Sequence, residues 1–217
     1  MPSSSKLEAL ADLLAAARRD VRQITALPSD LMPPSADDAY RVNALVAARL
    51  GWAPLGWKIA GTTAHMRERL GVDAPIYGRT FRQFATQSPA TFRVRDLLDP
   101  IVECEFFITL ARDLPPRDTP YAMPDIVAAV ATVHAGIEVP ECRFPEANLP
   151  PLPAILADGA ASGRYVYGAP LPGWKDGLAA VPIALEVDGI LKRKGVGADV
   201  MGDPLVPLLW LANERRR

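Results

Sequence analysis

Apolar residues first recur at helical spacing near the N-terminus. Leu7, Leu10, Leu14, Ala17, Val21 and Ile24 line one face, and Ser5 with Glu8 forms a capping box, so the pattern predicts a helix over 6–25. The turn-rich stretch "PSDLMPPS" follows, and Ser35 and Asp37 open a second helix over 37–50 that Gly51 ends. "LGWKIAG" (55–61) predicts a short strand closed by glycine. Thr62 or Thr63 caps a third helix that ends before Gly71. Beyond it apolar runs shorten and prolines and glycines become frequent, as in a β-rich region with long loops.

"PIVECEFFITL" (100–110) is rich in β-branched and aromatic residues and predicts a strand. Alternation puts Ile101, Glu103, Glu105 and Phe107 on one face and Val102, Cys104, Phe106 and Ile108 on the other, the expected core face. The two carboxylates then sit about 7 Å apart at their Cα atoms. Neighbouring anions raise each other's pKa, and a hard divalent cation relieves this. The wet face of a half-buried sheet would look the same. "PDIVAAVATV" predicts a helix with Pro124 in its first turn, and "HAGIEVPEC" a strand. "VPIALEVDGILKRKG" predicts a hairpin turning at Asp188-Gly189. Asp203 caps a last helix carrying Leu205, Leu208, Leu209 and Leu211.

Composition narrows the class. The 217 residues suit one large domain, or one with a small appendage, and 49% apolar with 23% charged residues indicates a globular chain. A net charge of −1 gives no basic excess for nucleic acid, and the tail Arg215, Arg216 and Arg217 reads as a solvated end. Cys104 and Cys142 have no metal-type spacing, so both are expected as reduced, buried thiols in a cytoplasmic protein. The N-terminus has no signal-peptide pattern, and the longest apolar run, "IVAAVATVHAGIEV", is too short for a membrane span. Ser3, Ser4 and Ser5 read as capping or disorder. His65, on the exposed side of the third helix, and His134 read as structural, and no Ser-His-Asp set is recognisable.

Several segments, in this order, resemble the fumarylacetoacetate hydrolase superfamily, and within it the 2-keto-4-pentenoate hydratase and 4-oxalocrotonate decarboxylase branch. They are "GWKIAGTTAHMRERLGVDAPIYGRTF" (56–81), "PIVECEFFITLARDLP", "HAGIEVPECRF", "LADGAASGRYVYG" and "GVGADVMGDPLVPLLWLAN". The resemblance implies an α+β fold, with N-terminal helices (1–55) packed on a mixed β-roll catalytic domain (56–217) in one compact unit, shortened at its C-terminal side. It implies that Glu103, Glu105 and Glu138 bind Mg²⁺ or Mn²⁺. It implies that Lys58 contacts substrate and takes part in proton transfer, with Ser162 also on the substrate. Two positions depart from the pattern: Ile76 stands where the hydratases commonly carry Asp, and "ADGAA" (157–161) lacks the amide and hydroxyl of A-D-N-A-S, so Gly159 replaces Asn.

The implied activity is a metal-dependent hydro-lyase adding water to 2-hydroxypenta-2,4-dienoate, or a similar 2-oxo acid, in aromatic catabolism. Two alternatives stay open. One is decarboxylation or acylpyruvate hydrolysis on the same scaffold; the other is a non-catalytic, metal-binding partner subunit. The expected partners are the small acid and further copies of the chain in a homo-oligomer, or a related decarboxylase or hydratase in a hetero-complex, with no nucleic acid and no membrane.

Overall fold

The structure, a computed structural model, describes residues 4–216; Ser3 of the serine run and Arg217 of the basic tail lie outside the described residues. In chain order the elements are α1 (Ser4–Arg19), α2 (Ala36–Leu50), β1 (Pro54–Ala60), α3 (Ala64–Leu70), β2 (Ile76–Phe81), β3 (Ala85–Gln87) and β4 (Glu103–Leu110). Then come α4 (Met123–Ala129), β5 (Val130–Val139), α5 (Leu152–Ala157), β6 (Arg164–Pro170), β7 (Pro182–Val187), β8 (Ile190–Val196) and α6 (Leu205–Glu214). Strands β1 and β2 pair antiparallel, β7 and β8 form a hairpin, and a four-stranded sheet has the order β3-β6-β5-β4. No helix among the described residues is long and apolar enough to cross a membrane.

Helix caps follow the sequence closely. Ser35 Oγ accepts the Asp38 amide at 3.1 Å to open α2, and Gly51 closes it in the left-handed region, φ 63°. Thr63 Oγ1 accepts the Met66 amide at 3.2 Å to open α3. Asp203 Oδ1 accepts the Leu205 amide at 2.8 Å at the start of α6. In the β7–β8 turn, Asp188 and Gly189 both have positive φ, 53° and 73°, as a type I′ hairpin requires.

Four expectations are corrected. Helix α1 begins at Ser4, so Ser5 lies inside it rather than capping it. It stops at Arg19, not residue 25; Val21 is left-handed (φ 49°), and Ile24 is buried as a loop residue whose amide donates to the Arg143 carbonyl at 2.6 Å. "PDIVAAVATV" is helical only to Ala129; the β-branched residues from Val130 onward join β5. Of the expected core face, Phe106 and Ile108 pack on a core, but Val102, just before β4, is exposed, as is Cys104, and Cys142 is only half-buried, so neither thiol is fully enclosed.

The chain folds as two compact units, each built from several stretches of sequence. One takes the chain to Ala60, Ile76–Glu103 and Glu138–Val166; the other takes Gly61–Pro75, Cys104–Ile137 and the chain from Tyr167. In the first, the apolar faces of α1 (Leu7, Leu10, Leu14) and α2 (Val42, Val46) pack together, and α2 also packs on α5. Asp158, fully buried at the end of α5, is held by Arg143 Nε at 2.9 Å, the Arg143 amide at 2.9 Å and Arg18 Nε at 3.4 Å. Burial, and then Arg143, lowers the Arg18 pKa to about 10. The second unit is built on Tyr121, Ile126, Val130, Val133, Leu178 and Leu205.

Candidate metal centre

Strands β4 and β5 are neighbours in the four-stranded sheet. The period-two alternation of β4 presents Glu103 and Glu105 on one face, and β5 brings Glu138. One carboxylate oxygen from each lies within 4.8 Å of the others, with Glu138 buried and its two companions half-buried. The structure therefore brings together the three glutamates singled out in the sequence.

Glu138 is the chemically unusual member. It is 2% exposed, and burial raises its pKa; Lys58 opposes the shift and Glu103 adds to it. Lys58 Nζ lies 3.2 Å from Glu138 Oε1, and both side chains are buried. That is ion-pair distance, but no donor among the described residues is aligned to hydrogen-bond Oε1. One ammonium stands against three carboxylates here, so the cluster keeps an excess of negative charge about a buried member. Three carboxylates are hard oxygen donors of the kind Mg²⁺ and Mn²⁺ select. The cluster fits a divalent cation.

Close backbone approaches place these side chains. Lys58 faces Gly78 across the β1–β2 register. A Cβ on Gly78 would stand 1.9 Å from the Gly159 carbonyl oxygen, so only glycine lets the loop after α5 lie against β2. That loop is left-handed at three successive residues, Gly159, Ala160 and Ala161 (φ 91°, 53° and 58°). Its departure from A-D-N-A-S thus puts glycine where φ is most positive. A Cβ on Gly163 would stand 2.0 Å from the Val139 carbonyl oxygen, so only glycine lets the chain entering β6 lie this close to β5.

Ser162 is 2% exposed, and its Oγ lies 2.7 Å from the Tyr165 hydroxyl. Burial, then the Glu138 charge, pushes the Tyr165 pKa well above the usual value for a phenol. The motif reading passed over Tyr165. The signal available was the alternation in "GRYVYG", which puts Gly163 and Tyr165 on one face. Ile76 is buried at the start of β2 and offers no proton. His65 is exposed on α3. Both His134 ring nitrogens are engaged, by Thr132 Oγ1 at 2.8 Å and the Gly168 carbonyl at 2.9 Å, which fits a structural role.

No protein-family model matches the chain. The curated 2-keto-4-pentenoate hydratase 1 of Dechloromonas aromatica (strain RCB) is 31% identical over 210 residues, 95% of this chain and 79% of that protein. The 2-keto-4-pentenoate hydratase of Burkholderia vietnamiensis (strain G4 / LMG 22486) is 29% identical over 221 residues, 100% of this chain and 83% of that one. Among solved structures, 4-oxalocrotonate decarboxylase from Pseudomonas putida G7, complexed with magnesium and adipate, superposes with a TM-score of 0.88 at 25% identity. That match covers 99% of this chain and 82% of the other.

Proposed function

The chain belongs to the 2-keto-4-pentenoate hydratase family, and from this we infer that it is a hydro-lyase adding water to 2-hydroxypenta-2,4-dienoate or a closely similar 2-oxo acid. The observation that carries the reading is the convergence of Glu103, Glu105 and the buried Glu138 in a chain this similar to named hydratases. Those three residues would hold Mg²⁺ or Mn²⁺; the magnesium complex of the structural relative supports the choice of a hard cation. When bound, the cation supplies Lewis-acid polarisation of the substrate's 2-oxygen.

The chain's own residues do the rest. Lys58 Nζ, buried beside Glu138, carries positive charge into the cluster and is the candidate proton carrier. The reaction needs two transfers: the enol proton leaves the 2-oxygen and C5 gains one, then water delivers hydroxide to C4 and a proton to C3. Ile76 takes no part in either, which leaves the proton traffic to Lys58 and water. Ser162 enters the site by way of Tyr165.

The test is loss of the dienoate's ultraviolet absorbance with 4-hydroxy-2-oxopentanoate as product. Turnover that needs added Mg²⁺ or Mn²⁺ and stops with chelator is expected; turnover indifferent to chelator would end this reading. The decarboxylase neighbour supports a second reading, decarboxylation of a 2-oxo dicarboxylic acid on the same residues, which release of carbon dioxide from such a substrate would reveal. A homo-oligomer is supported by Val187, Ile190 and Leu191, left 42%, 59% and 45% exposed on the β7–β8 hairpin. A monodisperse monomer in light scattering would refute it.

A further inference from the structure

Aromatic side chains gather on one face of the four-stranded sheet, within the second compact unit. Period-two alternation puts Glu105, Phe107 and Thr109 on a single face of β4. Strands β4 and β6 flank β5, so their backbones stand about 10 Å apart. The ring centroids of Phe107 on β4 and Tyr167 on β6 are 6.5 Å apart. The two rings therefore lean toward each other over β5, on the face that carries Glu105. The His134 ring of β5 meets Tyr167 there nearly at right angles, with 5.7 Å between centroids. All three side chains are half-buried, so each keeps some surface open.

Hydrogen bonding turns the polar atoms of His134 inward. The Gly168 carbonyl can only accept, so Nδ1, 2.9 Å away, carries the proton. Nε2, 2.8 Å from Thr132 Oγ1, then accepts the threonine hydroxyl, and Thr132 in turn is bonded to Thr109 Oγ1. Neither ring nitrogen is left to meet a ligand. From Glu105 outward the face thus presents a carboxylate, then ring surface, then a pair of threonine hydroxyls. Ring faces are the negative side of an aromatic quadrupole. They suit an apolar or π-bonded group, whereas a carboxylate laid on them would lose water and gain no cation from these three residues.

We propose that Phe107, Tyr167 and His134 determine specificity: they form a shelf beside the cation site that receives the uncharged far end of the substrate and turns away acids with a second carboxylate there. This rests on the reading that Glu103, Glu105 and Glu138 hold a cation that chelates a 2-oxo acid. Chelation through the carboxylate and the 2-oxygen leaves C3 and the carbons beyond it to extend from the cluster. Phe107 stands about 7 Å along β4 from Glu105, next in line on the same face. The shelf favours hydration of a monocarboxylic acid over decarboxylation of a dicarboxylic one, and it suits alkyl or alkenyl homologues longer than five carbons.

The experiment is titration calorimetry on the full chain in saturating Mg²⁺ with three saturated acids, which cannot take up water: pyruvate, 2-oxopentanoate and 2-oxoglutarate. Pyruvate fills only the cation end, and 2-oxoglutarate is 2-oxopentanoate with C5 as a carboxylate. Wild type should bind 2-oxopentanoate about 10-fold more tightly than pyruvate, the effect of two buried methylenes, and 2-oxoglutarate no more tightly than pyruvate. Phe107→Ala should erase most of the 2-oxopentanoate advantage while pyruvate affinity holds. Phe107→Arg should put 2-oxoglutarate ahead of 2-oxopentanoate. Wild type with no preference for 2-oxopentanoate over pyruvate, or with 2-oxoglutarate tightest, would overturn the shelf and leave the cation site standing. A folded Phe107→Ala protein that loses affinity for all three acids alike would overturn it too. Wild type that binds none of the three would overturn both readings. Should neither variant fold, the wild-type ranking decides alone.

Discussion

Gly78→Ala is the most sharply defined perturbation of the scaffold beneath the candidate site. The added Cβ would stand 1.9 Å from the Gly159 carbonyl oxygen, 2.5 Å from its carbonyl carbon and 3.2 Å from its Cα. All three are backbone atoms, so no flexible side chain can yield. The loop cannot easily retreat either: Gly159 follows Asp158, which two buried arginines hold. Strand β2 must move instead, and Lys58 sits directly opposite in the β1–β2 register. Overpacking of this kind costs about 1–3 kcal/mol, and an approach this short against fixed backbone belongs at the upper end. Gly56→Ala is the control, because a Cβ there meets only Thr80 Oγ1 at 3.9 Å. Urea unfolding of the three proteins should show Gly78→Ala destabilised by about 3 kcal/mol, with Gly56→Ala within about 1 kcal/mol of wild type. Equal stability of the two variants would show that β2 and the 159–161 loop do not lie against each other as described.

Further outcomes follow from the same geometry. Lys58→Ala should lower kcat by about 10²–10⁴-fold at saturating Mg²⁺ in the dienoate absorbance assay, while circular dichroism reports a folded chain. Asp158→Asn strands two buried arginines and should cost about 3–5 kcal/mol in urea unfolding. Burial raises the Cys142 thiol to about 11. Its folded pKa lies above its unfolded one, so its contribution is intact below about pH 9 and is lost as the pH rises toward 11. Unfolding free energies at pH 8 and pH 11 should therefore fall by about 2–3 kcal/mol more in wild type than in Cys142→Ala.

Legibility in the sequence followed the locality of the signal. Caps and tight turns were readable because their chemistry is confined to four residues: Ser35, Thr63, Asp203 and the Asp188-Gly189 pair all do what their positions suggest. The E-x-E pair was readable for the same reason, since alternation alone puts both carboxylates on one face. Ile24 misled because apolar spacing records burial and not its cause; a loop returning to the Arg143 carbonyl buries it as well as a helix would. Strand β5 was cut short because Ala128 and Ala129 continue a helical pattern into residues whose partners lie on β4 and β6. Strands β2, β3 and β6 and helix α5 were too short, or too rich in glycine and proline, to stand out without their neighbours. Tyr165 was hidden for a related reason. Nothing local to "GRYVYG" announces Glu138, 27 positions earlier, and only strand pairing makes them neighbours.

Diffraction from crystals of the protein soaked in Mn²⁺, collected at the manganese absorption edge, tests the central claim most directly. The account predicts one strong anomalous peak bounded by carboxylate oxygens of Glu103, Glu105 and Glu138, absent from crystals of Glu138→Gln. A peak at another position, or no peak in a wild-type crystal soaked well above the concentration that supports turnover, would contradict it.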